Sequence, residues 1–519
     1  MFKKIISGVL AGITAISITI FPSFSEESVE KKAIYYLPGY MGSQLYDSSD
    51  GKLFWIDTNA LLPEVYNFPL NKTSKIALDE NGEGDLLYVD VEKDNSVEAN
   101  AYGTRNPNSG EYSSSKIMER LKNDFSDEYD VKFFSYDWRK SLPISIKSLE
   151  EDIKKNGYNK VTFVCHSAGG LLAAGFLGKS QDNVDLTEKV VTLGTPLLGT
   201  YTSLVALQTG NIDSVSSLLK NSPLPMDQKD VFDWVMYSVK NSSCLYQLIP
   251  SKEFLTMYPV MANEKNINEI DEFYTVLKNS QVVLNNNMIT GDKDSHLSYR
   301  DDYLNSNIMD VFKKVNSYHI AGTGRTTEYS VSYNLENGYY GVSEFLKNDK
   351  GDGTVSLNSA IGAYYNNNSL IYPKNYTIFS NTSHSGLTTE VKSLDAISAF
   401  IRSGTVANDI DISAVFDLGD EITTQATTII SDVQTTNTET ENTVTTNTSQ
   451  TTTATLASET TVASSTSTTL AAVTSNNVTT TVLKAENSPK TSDKNNISII
   501  ILGVVSLLVS LFMLKKQKN

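Results

Sequence analysis

Cysteine is scarce in this sequence, with only Cys165 and Cys244 among 519 residues. That excludes a disulfide framework and a Cys-rich metal site, and leaves room for at most one bridge. Positive charge is also short: 43 Lys and Arg stand against 60 Asp and Glu, a formal net charge of −17. No basic stripe is available to displace counterions from phosphates, which argues against a nucleic-acid partner. The same shortage argues against docking on anionic lipid through a polybasic patch. Histidine occurs only at positions 166, 296, 319 and 384, so histidine-dependent chemistry has few candidates. A further scarcity is local. Asp417–Asn496 contains no Phe, Tyr or Trp, and no Lys or Arg occurs from Ser403 to Leu483, while residues 421–480 hold 24 Thr. Such a segment cannot bury enough apolar surface to offset its ordering entropy, so 404–487 is expected to be a disordered Thr-rich stalk.

The two ends indicate a location. Lys3 and Lys4, the apolar run Ile5–Phe21 and the small residues of Ser23-Phe24-Ser25 have the layout of an export signal over 1–25. At the other end, Ile497–Leu514 is uncharged and, at about 1.5 Å per residue, long enough to cross a bilayer as a transmembrane helix. Lys515, Lys516 and Lys518 follow it, and Ser488-Pro489-Lys490-Thr491-Ser492 precedes it. This set resembles a Gram-positive cell-wall sorting signal, L-P-x-T-G, with Ser488 in place of Leu and Ser492 in place of Gly. Residues 488–519 then serve either for attachment to peptidoglycan by a sortase-type transpeptidase or as a plain membrane anchor. Both place the chain on the outer surface of a Gram-positive-type bacterium.

Residues 26–403 form the one enzyme-sized region. Short apolar runs at Ala33–Leu37, Val131–Tyr136, Lys160–Cys165, Lys189–Leu193, Ser317–Ala321 and Tyr376–Ser380 read as strands. Helical spacing appears over Lys116–Phe125, Pro143–Asn156, Gly169–Leu177 and Glu390–Ile401. Short buried strands separated by helices predict an α/β fold with a largely parallel sheet covered on both faces. The segment at about 200–315 interrupts the alternation and is expected to cap the strands' C-terminal edge, where ligands bind in open α/β sheets. Leu61–Leu70 and Phe232–Tyr237, which includes Trp234 and Met236, either pack cap against core or line an apolar channel.

Chemistry enters at Cys165-His166-Ser167-Ala168-Gly169-Gly170, between the strand Lys160–Cys165 and the helix after it. This matches the nucleophile elbow G-x-S-x-G except that Cys165 stands at the first glycine. Small flanking residues let the strand turn sharply into the helix and lift the Ser167 hydroxyl clear of the sheet. The turn leaves the Ala168 N–H at a helix N-terminus, facing a developing oxyanion. Serine needs a base. His384, in the loop after the last strand, occupies the expected place, whereas His166, His296 and His319 read as structural. The orienting acid should fall between nucleophile and base, which selects Asp352, with Asp349 as runner-up. Leu37-Pro38-Gly39-Tyr40-Met41-Gly42-Ser43 follows the first strand, where a second oxyanion donor usually originates. Asp137 and Arg139 read as a structural ion pair. Asp79-x-Asn81-x-Glu83-Gly84-Asp85 approximates a calcium loop but lies between alternating runs, so a hairpin turn and no metal are expected.

Pro38-Gly39-x-x-Gly42-Ser43, Tyr136-Asp137-Trp138-Arg139, His166-Ser167-x-Gly169-Gly170, Gly194-Thr195-Pro196-x-x-Gly199 and Gly351-Asp352-Gly353-Thr354-Val355 occur in this order. Together they resemble the lecithin:cholesterol acyltransferase family across nearly all of 33–390. The resemblance implies an α/β-hydrolase fold with a cap and lid that moves acyl chains from a lipid to an alcohol or to water. It implies Ser167 as acyl acceptor, Asp352 and His384 as its partners, the amides of Tyr40 and Ala168 as oxyanion hole, and no cofactor. Cys165 and Tyr40 depart from the family pattern. A surface adhesin on a hydrolase scaffold and a non-lipid carboxylesterase are the competing functions.

Overall fold

The computed structural model describes residues 30–96, 102–105, 111–212, 227–280, 308–366 and 369–406. The proposed export signal, the stalk beyond 406, the sorting signal, Ile497–Leu514 and His296 lie outside them. Among the described residues no helix is long and apolar enough to cross a membrane.

Six strands form the central sheet: β1 (Lys32–Leu37), β2 (Asp130–Phe133), β3 (Lys160–His166), β4 (Thr187–Leu193), β5 (Asn316–Thr323) and β6 (Tyr376–Ser380). Their order is β6-β5-β4-β3-β1-β2, and every neighbouring pair is parallel. The register aligns Leu37 with Cys165, His166 with Leu193, Leu193 with Ile320, and Thr323 with Ser380. The loops that follow these strands therefore leave one edge of the sheet together. Alternate residues feed opposite faces. Ala33, Tyr35, Phe163 and Cys165 pack with the helices Leu142–Asn156 and Ala168–Lys179. Ile34, Tyr36, Val164 and Val191 pack with the helices Ser115–Phe125 and Val391–Ser403. This is an α/β-hydrolase-like arrangement. β2 ends at Phe133, three residues short of the expected Tyr136. Phe134 still donates its N–H to Tyr36 O at 3.0 Å, and the chain then turns away under the Asp137–Arg139 pair.

Between β4 and β5 lies the expected insertion, which carries the helices Thr202–Thr209 and Gln228–Val239 and several shorter elements. Its core is continuous with that of one sheet face. The helix Thr58–Asn71 buries Leu61, Val65 and Phe68, and the Phe68 ring meets Tyr237 at 5.3 Å. Trp234 is buried as well, so the two apolar segments pack cap against core. One element departs from the expected alternation. Thr327–Glu336 and Tyr339–Asn348 form a long antiparallel hairpin after β5. It joins Val260–Ala262 and Lys265–Ile267 of the insertion in a four-stranded sheet.

The calcium-like segment is a turn. The Asp79 carboxylate accepts the amides of Asn81 and Glu83, each at 2.9 Å. It does not join a hairpin of its two flanks, since Leu87–Tyr88 pairs instead with Leu45–Asp47. Among the described residues no cluster of His, Cys, Asp and Glu is arranged to hold a metal ion. Cys165 and Cys244 are both free and buried.

Candidate active site

Ser167 sits between β3 and the helix Ala168–Lys179 with φ 53° and ψ −127°. A non-glycine residue adopts this conformation at a cost, and here the surroundings hold it: Ser167 N donates to Leu193 O at 2.9 Å and Gly170 N to Ser167 O at 3.0 Å. Only 8 % of Ser167 is exposed. Ala168 is the first residue of the helix, so its N–H has no intrahelical acceptor.

Asp352 is buried at the C-terminal end of β5. The hairpin is what delivers it there. The chain leaves the sheet after Thr323 and returns where Arg325 N donates to Gly351 O at 3.0 Å. Asp352 Oδ1 accepts the amides of Thr354 and Val355 at 2.9 and 2.8 Å. Its Oδ2 lies 2.8 Å from His384 Nδ1, and the His384 amide donates to Asp352 O, also at 2.8 Å. With Nδ1–H committed to the carboxylate, His384 Nε2 is the free basic nitrogen. Asp349 is placed elsewhere: its carboxylate accepts the Thr326 hydroxyl at 3.0 Å and its carbonyl the Gly324 amide at 2.9 Å.

The gap between these parts admits little. A Cβ at Gly39 would lie 2.7 Å from Ser167 Cβ and 3.3 Å from both Ser167 Oγ and His166 Nδ1. One at Gly194, where φ is 55°, would lie 2.8 Å from Asp352 Oδ2 and 2.9 Å from His384 Nδ1. The loop that starts at Pro38 therefore touches the serine, and the loop after β4 touches the His384–Asp352 pair. Among the described residues no hydrogen bond joins Ser167 Oγ to His384, in keeping with the loose geometry of many substrate-free sites.

His166 belongs to this neighbourhood but has a different task. Its Nε2–H donates to His384 O at 3.2 Å, and the two rings are 4.6 Å apart. Burial, then the nearby His384, pulls its pKa down to about 3, so it stays neutral as a packed support. His319 is buried within β5, with Nδ1 2.8 Å from Thr192 Oγ1 and its ring against Phe312 at 5.2 Å. Asp137 and Arg139 form a two-pronged pair at 2.9 and 2.7 Å, and Arg139 also donates to Ile76 O and Leu87 O. Tyr40 turns its ring against Trp138, 5.0 Å between centroids, and donates its hydroxyl to Ser242 Oγ of the insertion at 3.1 Å.

The hairpin that carries the chain to Asp352 was not anticipated from sequence, although Asn337-Gly338 marks it. Both residues have positive φ, 53° and 86°, as a two-residue hairpin turn requires.

Comparison with known proteins adds the following. The lecithin:cholesterol acyltransferase family model matches residues 109–314. That span holds Tyr136–Arg139, the Ser167 turn, Gly194–Gly199 and most of the insertion, but not Tyr40, Asp352 or His384. No match was found among curated protein sequences. Among solved structures, a chain of the Tle4–Tli4 complex aligns at 14 % identity and TM-score 0.46, covering 72 % of this chain and 99 % of that one. Lipase BlEst2 of Bacillus licheniformis aligns at 12 % identity and TM-score 0.29, covering 73 % and 93 %. Phospholipase PlaB from Legionella pneumophila aligns at 8 % identity and TM-score 0.33, covering 78 % and 65 %.

Proposed function

We propose that the protein is a lipid-directed acyl-ester hydrolase or O-acyltransferase that works through a covalent acyl-serine. The observation that carries this reading is the convergence at one sheet edge of Ser167, on a strained strand-to-helix turn, and of His384 with its Nδ1 2.8 Å from Asp352. The family match over 109–314 supports the substrate class. His384 Nε2 takes the hydroxyl proton as Ser167 Oγ attacks an ester carbonyl. Negative charge then gathers on the carbonyl oxygen and is met by the amides of Tyr40 and Ala168, while Asp352 stabilises the imidazolium. The proton passes to the leaving alkoxide, and water or a second alcohol, deprotonated by His384, releases the acyl group. On the strength of the terminal sequences, this domain is exported and tethered to the membrane or to peptidoglycan through a stalk.

The test is Ser167→Ala. Turnover of phospholipids, glycerides and short esters should disappear while the thermal unfolding midpoint stays put. Wild-type turnover in a folded Ser167→Ala protein would refute the assignment. Running the same panel with and without an alcohol acceptor separates transfer from hydrolysis.

A further inference from the structure

Three of the carbonyls in the loop Pro38–Ser43 are occupied by side chains from outside the loop. Tyr136 Oη donates to Pro38 O at 2.9 Å, Trp55 Nε1 to Met41 O at 3.1 Å and Trp138 Nε1 to Ser43 O at 3.2 Å. Gly42 N donates to Gly39 O at 2.9 Å, and the Tyr136 amide reaches Ser43 Oγ at 3.1 Å. The three aromatic donors are themselves buried, and Trp138 packs on Trp55 at 5.3 Å and on Tyr40 at 5.0 Å. In a trans peptide the C=O and N–H point in opposite directions. Turning Gly39 O toward Gly42 therefore turns the Tyr40 N–H the other way, and the anchored carbonyls of Pro38 and Met41 stop the loop from rotating about that unit. Gly39 touches Ser167 closely enough that a Cβ there would lie 2.7 Å from Ser167 Cβ.

We propose that Tyr136, together with Trp138 and Trp55, positions the Tyr40 amide as an oxyanion donor by holding the carbonyls of its loop. The proposal rests on the acyl-transfer reading of Ser167. All three are positioning residues, acting through backbone carbonyls and not on the reacting atoms. The Asp137–Arg139 pair gains a purpose from this. It fixes the turn after β2 that presents Tyr136 and Trp138 to the loop, with Arg139 tied to Ile76 O and Leu87 O behind it.

Tyr136→Phe deletes one hydroxyl and keeps the ring. In the full chain, kcat for p-nitrophenyl butyrate should fall about ten- to a hundredfold, with KM changed less than twofold. Affinity for a trifluoromethyl ketone, which forms a tetrahedral oxyanion on the serine, should weaken by the same factor. A general loosening of the fold would not couple those two losses. Trp55→Phe supplies the same measurement where Tyr136→Phe does not fold. Wild-type kcat and ketone affinity in the folded variants overturn the proposal. So does a fall in kcat with ketone affinity unchanged, because the loss then lies away from the oxyanion. Both of those outcomes leave the acyl-transfer reading standing. A wild-type protein whose Ser167 takes no fluorophosphonate overturns that reading, and the proposal with it.

Discussion

The loop Pro38–Ser43 is held by side chains that donate to its carbonyls, whereas Gly351–Val355 uses its own amides to hold a side-chain carboxylate. These two regions flank Ser167 and are fixed by opposite means. In the first, occupying carbonyls leaves amide N–H groups unspent, which suits a site for developing negative charge. In the second, spending amides on Asp352 Oδ1 turns Oδ2 toward His384 Nδ1, which suits a site for developing positive charge. The first is built from neutral aromatics, the second from a carboxylate hydrogen-bonded to an imidazole. Under the proposed mechanism, each side thus consumes the polar groups it does not need and keeps those that match the charge it would meet.

The largest expected effect breaks the second side alone. In Asp352→Asn the side-chain oxygen can still accept the Thr354 and Val355 amides, which turns the NH2 toward His384 Nδ1. The ring must then carry its proton on Nε2, where it can no longer accept one from serine. A fall in kcat of about 10⁴-fold is expected, with the fold intact. Ester hydrolysis within tenfold of wild type would remove Asp352 from its proposed role. Next in size come the two glycines that line the gap. Gly39→Ala presses on Ser167 from the carbonyl-held side, and Gly194→Ala presses on the His384–Asp352 bond. Each should cost about 10² in kcat. Their combination with Asp352→Asn sharpens the contrast. Gly194→Ala should add little to a pair already disabled, while Gly39→Ala should multiply the loss. If Gly39→Ala also adds little, the two sides are not the separate units described.

How much of this was legible from sequence also differs between the sides. Buried parallel strands are continuous apolar runs, so β1, β3, β4, β5 and β6 could be placed within a few residues. The position of Ser167 on a strand-to-helix turn followed from its small neighbours, and that of His384 in the loop after the last strand from the order of elements. The Asp352 side needed one further element. The Thr327–Asn348 hairpin has a partly exposed, weakly alternating outer strand, so its Asn337-Gly338 turn was the stronger signal. The aromatic grip on Pro38–Ser43 was not legible at all. Tyr136, Trp138 and Trp55 reach that loop across roughly 15 to 100 positions of chain, and nothing local to any of them announces a carbonyl as its partner.

The smallest expected effect concerns His166, the side chain that touches both sides, and His319, its counterpart buried within the sheet. Burial lowers each from the ordinary value of 6.5 to about 3. Between those limits the unfolded chain holds protons that the native state refuses. The stability due to neutral burial is therefore complete above pH 6.5 and is lost as pH falls toward 3, by at most about 1.4 kcal/mol per pH unit for each ring. Glu64 and Asp94, whose carboxyls burial pushes upward, act in the opposite sense, being stabilised relative to the unfolded chain as pH falls. His319→Phe retains an aromatic ring against Phe312 but leaves the Thr192 hydroxyl without its partner, a cost of about 1–2 kcal/mol at pH 7. Urea unfolding from pH 7 to pH 4 should show that deficit shrinking and then reversing, since only wild type still pays for keeping residue 319 neutral. Parallel curves for the two proteins would mean that His319 accepts a proton inside the folded sheet. The acid sensitivity would then belong to His166, and so to the junction of the two loops.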